Sequence, residues 1–592
     1  MKSSPIYPYF HFHHPQLNTK LYIKTRIRRE EGGSRIKNGA ILTNVRRFHF
    51  IDDRGLYNKM EQFKELIERA KLNTIIPVFK VVEAPENAIE YFSKLSNYGR
   101  KPNSILLESA DIIAKYGELS LGSANPCLVV SGNKEEFEIK ALNSQGEKAI
   151  KSLKGDLKFC DKAVYKKNSI KGILKPARKV VSEDKRLKLK THMDIIRTVA
   201  LKFTPTSKPI MPYCGLFGAI SYDFIDQFED LPQNEQDILK DPDYELYFLD
   251  NLFLIDHKQG KMYLIANALI TDNNRKDIYE RCVKTIANYE KALTLKPPKA
   301  KKLKPKKQVI ETDTEKREFE DTVRVLKSHI LQGDVFQVVP SRTIITNYNA
   351  EPLDIYQTLR TLNPSPYMFY INGQNGMLIG SSPEMYLRVQ GEEQKTVEIR
   401  PIAGTKPRGI INDKIDPELD SRYETELKID RKELAEHTML IDLARNDVAR
   451  ISKPGTRVTT EPFIVEKYSH VQHLVSTVKG ELKEDLDALH AYLASMNMGT
   501  LTGAPKIEAM KLIRQVEKTK RGFYGGSVGY ITPNGDFDSC IVIRTIKLKN
   551  NKAYIRAGAG IVYDSVPQKE FNETNKKAQA CLRAIKLAGG LK

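Results

Sequence analysis

Short β-rich runs recur along this chain, separated by stretches with helical spacing, and that alternation reads as a mixed α/β (α+β) fold. Before residue 290 the runs are NTIIPVFKVV, CLVVSG, EFEIKAL, LYFLDNLFLIDH and KMYLIANALI. Beyond 313 they are VFQVVPSR, GMLIGSSP, KTVEIRPIAG and AYIRAGAGIV. Between the two sets lies TLKPPKAKKLKPKKQ (294–308), with seven lysines and no acid. Proline removes donors and the lysines repel one another, so a solvated linker is expected there. MEQFKELIERAKL (60–72) and DTEKREFEDTVRVLKSHILQGD (313–334) have amphipathic helical spacing, the second ending near Gly333. No sequence repeat of 20–50 residues is visible. The expected organisation is a basic extension over 1–59, an N-terminal domain over 60–293, the linker, and a catalytic domain over 309–592.

Charge has to be located before it is interpreted. The 592 residues carry a net +21, of which 1–59 contribute +8 and 294–308 contribute +7. The other 518 residues hold only +6, so the folded body is not read as a nucleic-acid binder. No run of 18 apolar residues exists, and the first 20 residues lack the apolar core of a signal peptide. The six cysteines (127, 160, 214, 282, 540, 581) form no CxxC pair, which fits reduced thiols in a cytoplasmic protein. HFHH (11–14) has no second ligand cluster and reads as incidental; Met60 is a possible later translation start.

Several segments could carry chemistry. In RKELAEHTMLIDLARND (431–447), Glu433 and Glu436 share one helical face, and ARND with His437 suggests a polar cluster at a helix end. Glu573 opens a second amphipathic helix, FNETNKKAQACLRAIKLA. Carboxylates from two helices suit Mg²⁺, which prefers hard oxygen ligands and keeps waters. IAGTKPRG, GTLTGAPK, RGFYGGSVG and RAGAGIV are glycine loops able to approach an anion, but GTLTGAPK fails the spacing of a phosphate-binding loop. YSHVQHLVSTV alternates like a strand, so His470 and His473 are expected on opposite faces. These residues alone support a mixed α/β enzyme with an anionic substrate.

Taken in order, LLESADI, GLFGAISYDFIDQFEDLPQ, GDVFQVVPSR, NPSPYMFY, GSSPEMYL, PIAGTKPRG, KELAEHTMLIDLARNDVARI, YSHVQHLVSTVKGEL, ALHAYLASMNMGTLTGAPK, RGFYGGSVGY, CIVIRTI, AGAGIVYDSVPQ and FNETNKKAQA resemble the chorismate-binding enzymes, most closely the anthranilate synthase component I branch. The resemblance implies two β-sheets packed face to face with helices outside. It implies amination of chorismate at C2 with loss of the 4-hydroxyl, then release of pyruvate and aromatisation to anthranilate. By motif, Glu436 and Glu573 match the Mg²⁺ ligands. His473 matches the proton-removing histidine, with Thr500 in the matching catalytic loop. Arg544, Tyr524, Gly404, Thr405, Gly558, Ala559 and Gly560 match substrate contacts. Glu108, Ser109, Asn363, Pro366, Tyr367, Met368 and Cys540 match a tryptophan feedback site.

Two positions bear on the reaction. Ala403 stands where the sister family making 4-amino-4-deoxychorismate, the alternative reading, has a nucleophilic lysine. Gln337 stands where isochorismate and salicylate synthases have a water-activating lysine. No glutaminase nucleophile motif is present, so a glutamine amidotransferase partner is implied. The chain contains no tryptophan, which suits an enzyme needed when tryptophan is scarce; a Lys/Ile/Asn-rich coding bias would give the same.

Overall fold

The computed structural model describes residues 56–592 except 110–118, 177–181, 207–211, 302, 304–306, 413, 469, 591 and 592. The extension to residue 55, HFHH, and the end of LLESADI lie outside the described residues. No helix among the described residues is long and apolar enough to cross a membrane.

The apolar runs become strands, but several break where the chain changes sheet. LYFLDNLFLIDH is two strands, Tyr244–Leu249 and Asn251–Asp256, in different sheets, with Asp250 at the crossing. On Asn251–Asp256, Leu252 and Leu254 enter the apolar cluster between the sheets, while Phe253 and Ile255 face the outer helices. Burial of both faces explains a run without polar alternation. Each such side chain contributes about 1.5–3 kcal/mol.

The strands before the Lys-rich stretch include β1 (Ser104–Glu108), β2 (Leu119–Ser123), β3 (Leu128–Asn133), β4 (Glu136–Ala141), β5 (Gly215–Ile220), β6 (Tyr244–Leu249), β7 (Asn251–Asp256) and β8 (Lys261–Leu269), followed by helix α1 (Arg275–Thr294). After it come β9 (Tyr367–Gly373), β10 (Gly376–Ser382), β11 (Met385–Gln390), β12 (Thr396–Ile399) and β13 (Ile402–Pro407), then helix α2 (Arg431–Ile451). The chain ends through β14 (Val458–Lys467), β15 (Val471–Glu481), β16 (Ser527–Ile531), β17 (Phe537–Ile541), β18 (Thr545–Lys549), β19 (Lys552–Gly558) and helix α3 (Pro567–Ala588).

In the 12-stranded sheet, sheet A, the order β19-β18-β10-β9 continues into β1-β2-β7-β8. In the 13-stranded sheet, sheet B, β12-β11-β17-β16 continues into β5-β6-β3-β4. The two halves therefore repeat one topology. Each also begins with a helix, a strand and a helix: Leu56–Arg69, Thr74–Glu83, Ala88–Leu95 in the first and Lys316–Gln332, Ser341–Asn347, Pro352–Leu362 in the second. The halves meet antiparallel at β1–β9 in sheet A and β5–β16 in sheet B.

The Lys-rich stretch falls between the halves along the chain, while in space both halves build both sheets and 56–592 form one compact unit. Part of the stretch is tied down: Arg100 donates to Lys299 O at 3.1 Å, and Lys301 N donates to Glu351 at 3.2 Å. Lys316–Gln332 stops at Gly333 as its spacing predicts. ARND does not end a helix, because α2 runs on to Ile451 and buries Asp447 against Lys506 at 2.6 Å. His470 precedes β15, so only His473 lies on that strand.

Candidate active site

Strand crossings in the second half position the central charges. The chain leaves sheet A for sheet B at Glu384, between β10 and β11, and returns through Arg544, between β17 and β18. Arg544 has φ +51°, a left-handed backbone costing about 1–3 kcal/mol for such a residue. Its guanidinium makes no hydrogen bond or ion pair among the described residues. Burial holds its pKa below the usual guanidinium value, with Cys581, Tyr524, Glu573 and Glu384 nearby. A half-buried cation without a partner is costly. An arriving carboxylate can take a bidentate grip and supply the missing partner.

Glu384 is 8 % exposed. Burial raises its pKa to about 8, against the opposing effects of Thr500, Arg544 and Lys577. A pKa above 7 favours the protonated carboxyl at neutral pH, and the hydroxyl of Thr500 lies beside it.

Two helices bring in four more carboxylates. The N-cap Asp430 accepts from Lys432 N and Glu433 N and starts α2, which carries Glu433 and Glu436 three residues apart. Pro567 opens α3, which carries Glu570 and Glu573. Burial raises the pKa of Glu436, and Glu433, Glu573 and Glu570 add to it while Lys432 opposes. The nearest cations are Lys432, 3.9 Å from Glu436, and Lys577, 2.6 Å from Glu573. Among the described residues no three His, Cys, Asp or Glu side chains close into a metal cage. The donors are hard oxygens, mutually repelling and only partly neutralised, which fits a cation that keeps water and substrate ligands.

His473 on β15 places Nδ1 3.0 Å from Gly404 O and 3.0 Å from Thr405 Oγ1. A carbonyl only accepts, so Nδ1 carries the proton and Nε2 presents the lone pair. Burial lowers the ring's pKa, keeping it neutral, and Arg544 adds to that effect. Gly404 sits at an irregularity between β13 and β15 with φ +66°, and a Cβ there would lie 3.0 Å from Glu433 Oε2. Gly558 ends β19; its Cβ would lie 2.7 Å from Pro340 O and 3.0 Å from Tyr524 Oη. Lys577 donates to Gly558 O at 3.0 Å. Ala559 is fully buried, and Gln337 packs against Gly560. The predicted catalytic, substrate and metal residues thus surround one locus.

A family model described as chorismate binding enzyme matches residues 159–583. The chain belongs to the chorismate-binding enzymes. Its relatives include anthranilate synthase component 1 of Escherichia coli K12, 41 % identical over 493 residues, covering 83 % of this chain and 93 % of that one. Anthranilate synthase component 1 of Haemophilus influenzae is 40 % identical over 494 residues, covering 82 % and 92 %. Among solved structures, anthranilate synthase component I of Streptococcus pneumoniae TIGR4 superposes with a TM-score of 0.63 at 30 % identity, covering 78 % of this chain and 92 % of that one. The menaquinone-specific isochorismate synthase of Escherichia coli, at 16 % identity, TM-score 0.57 and coverage of 89 % and 99 %, shares the fold.

This chorismate-binding enzyme has a second locus at the seam between its halves. A cavity of about 720 Å³ lies between the sheets, lined by Glu108, Ser109, Pro366, Tyr367, Met368 and Cys540. Asn363 stands outside it, donating to Ser381 Oγ at 3.0 Å. Glu108, 5 % exposed, accepts from Tyr356 Oη at 2.6 Å, and Tyr367 donates to Asp538 at 3.0 Å. Its lining also includes the charged residues Arg388, Glu398, Arg400, Glu461 and Lys479.

Sequence reasoning missed Glu384, Glu570 and Lys577. The available signal for Glu384 was a carboxylate placed directly after proline inside the apolar run GMLIGSSPEMYL.

Proposed function

We infer that this chain is the aminase subunit of an anthranilate synthase, converting chorismate and ammonia to anthranilate and pyruvate in tryptophan biosynthesis. The observation that carries this reading is the half-buried Arg544, without a side-chain partner among the described residues, beside the buried carboxyl of Glu384 and opposite the carboxylates of α2 and α3. Arg544 and the Gly558–Gly560 segment receive the substrate carboxylates, with Tyr524 packed on that segment. Glu384 gives its proton to the departing 4-hydroxyl, so the group leaves as water. Nε2 of His473 then takes the C2 proton as pyruvate leaves and the ring aromatises. Glu436 and Glu573 would hold Mg²⁺, which when bound neutralises the ring carboxylate and stabilises developing negative charge. Ala403 offers no nucleophile and Gln337 no base for activating water, which favours ammonia addition over the two lysine-dependent reactions. Ammonia comes from a glutamine amidotransferase partner.

The test is anthranilate fluorescence from purified protein with chorismate, MgCl₂ and ammonium. Consumption of chorismate without anthranilate would sink this reading in favour of the aminodeoxychorismate or isochorismate branch. His473→Met is expected to lower anthranilate formation by about 10²-fold, with an aminated, pyruvate-bearing intermediate accumulating on liquid chromatography. A normal anthranilate rate removes His473 from proton transfer.

The seam cavity supports feedback by L-tryptophan. Its volume is within the usual range for a small-ligand pocket, and the acidic Glu108 and apolar Met368 walls suit an amino acid. Ser109→Phe fills that space and is expected to raise the half-inhibitory tryptophan concentration at least about tenfold, since a factor of ten needs only ~1.4 kcal/mol of lost binding. Unchanged inhibition places the regulatory site elsewhere.

A further inference from the structure

The strand β14 carries an unusual interruption. Its pairing with β15 is regular up to Thr460↔Thr477 and resumes at Ile464↔Val475. Glu461, Pro462 and Phe463 therefore oppose the single residue Ser476. Glu461 has φ +50° and Phe463 φ +55°. Two left-handed residues flanking a proline form a bulge that persists only where its surroundings hold it.

One hydroxyl supplies much of that hold. Ser476 is fully buried, and its Oγ accepts from Phe463 N at 2.9 Å. The same Oγ lies 2.7 Å from Nε2 of His437, also fully buried. The His437 and Phe463 rings pack edge to face with centroids 5.4 Å apart. His437 follows Glu436 on α2. Rotation of α2 about its axis moves both side chains together, so the Ser476–His437 bond fixes the direction in which Glu436 points.

The other end of the bulge reaches the seam cavity. Thr460 and Glu461 line it. Thr477, next to Ser476, donates to Glu461 at 3.4 Å and accepts from Arg400, another lining residue, at 3.2 Å. A continuous set of packed and hydrogen-bonded groups thus runs from the cavity wall to the helix bearing Glu436.

We propose that Ser476 is a positioning residue for Glu436, and that the bulge it pins couples occupancy of the seam cavity to the carboxylates of α2. This rests on the reading of Glu436 as a divalent-cation ligand and of the cavity as the tryptophan site. Ligand that draws Glu461 or Arg400 toward the cavity pulls on the bulge, and the shared hydroxyl passes that displacement to α2. Coupling is reciprocal, so tryptophan weakens cation binding by the factor by which the cation weakens tryptophan binding.

The experiment uses the full chain with two probes. MnCl₂ alone is titrated by water-proton relaxation, and L-tryptophan by its own fluorescence excited beyond tyrosine absorption, which a tryptophan-free chain permits. Ser476→Ala is expected to weaken Mn²⁺ at least tenfold while tryptophan Kd stays within threefold. In wild type, tryptophan weakens Mn²⁺ at least threefold; in Ser476→Ala that response disappears. Exposed Glu461→Gly, where glycine adopts the left-handed backbone freely, is expected to keep wild-type Mn²⁺ affinity and lose the response to tryptophan.

Wild-type Mn²⁺ affinity in Ser476→Ala overturns the positioning role. An intact response in Glu461→Gly overturns the coupling, whatever the fate of the other variant. Wild-type protein that binds no Mn²⁺ overturns the cation reading of Glu436. Wild-type protein that binds Mn²⁺ and no tryptophan overturns the feedback reading and the coupling together.

Discussion

Glu384→Gln is expected to lower kcat by about 10²–10⁴-fold, the range usual for loss of a positioned general acid. The substitution keeps the size of the side chain and removes only its acidic proton. Burial raises the Glu384 pKa to about 8 despite Arg544 and Lys577 nearby. A raised carboxyl pKa means that the folded site favours the protonated form. The proton is present at pH 7 and lost as pH rises through about 8, so wild-type activity should fall on the alkaline side. The glutamine variant has nothing to ionise there, and its residual activity should lack that limb. Rates are read from anthranilate fluorescence between pH 6 and 9.5 at saturating MgCl₂ and chorismate. A variant within threefold of wild type, with the alkaline limb intact, would make Glu384 a packing residue and assign the proton to another group.

The neutrality of Glu384 could not be read from the sequence, because it depends on a crossing between sheets. Apolar runs mark strands, and nearly every run quoted from the sequence is one. What the runs do not mark is the sheet each joins, since a strand buried on both faces looks the same in either. LYFLDNLFLIDH reads as one β-rich run; Asp250 inside it is where the chain changes sheet. Pairings such as β1 with β9 join residues more than 250 apart, and local pattern carries no information about them.

The duplication was hidden for a related reason. The two halves preserve the order of their strands and where the chain crosses, while the side chains at the crossings differ. In the first half Asp250, between β6 and β7, is 1 % exposed and meets Arg281 of α1 at 3.2 Å. In the second half Arg544 holds the matching place between β17 and β18, near Glu573 of α3. The charges are exchanged. One crossing is closed by its own ion pair, and the other holds a cation without a side-chain partner among the described residues. Motif resemblance singled out Arg544, Glu436, Glu573 and His473 because their neighbours in sequence are distinctive. It passed over Glu384, whose raised pKa comes from burial.

Glu436→Gln is expected to separate activity from stability. Activity should fall by at least about 10³-fold, or ~4 kcal/mol at 1.36 kcal/mol per factor of ten, because a neutral amide replaces one of two carboxylates offered to the cation. Stability should move the other way. Burial first, and then Glu433, Glu573 and Glu570, raise the Glu436 pKa. Ionised Glu436 therefore costs stability that is absent below the unfolded carboxyl pKa and appears as pH rises through the folded value. In EDTA at pH 7.5 the variant should melt no lower than wild type. At pH 4 the difference should shrink, as the wild-type carboxyl protonates. Added MgCl₂ should reverse the order, because a ligand bound to the folded state stabilises by RT ln(1 + [L]/Kd) and the variant binds it more weakly. Calorimetric scans in EDTA and in MgCl₂ at both pH values decide the matter. A variant that loses both activity and EDTA stability would mark Glu436 as structural, since a residue kept only for the fold has no reason to be repelled by its neighbours.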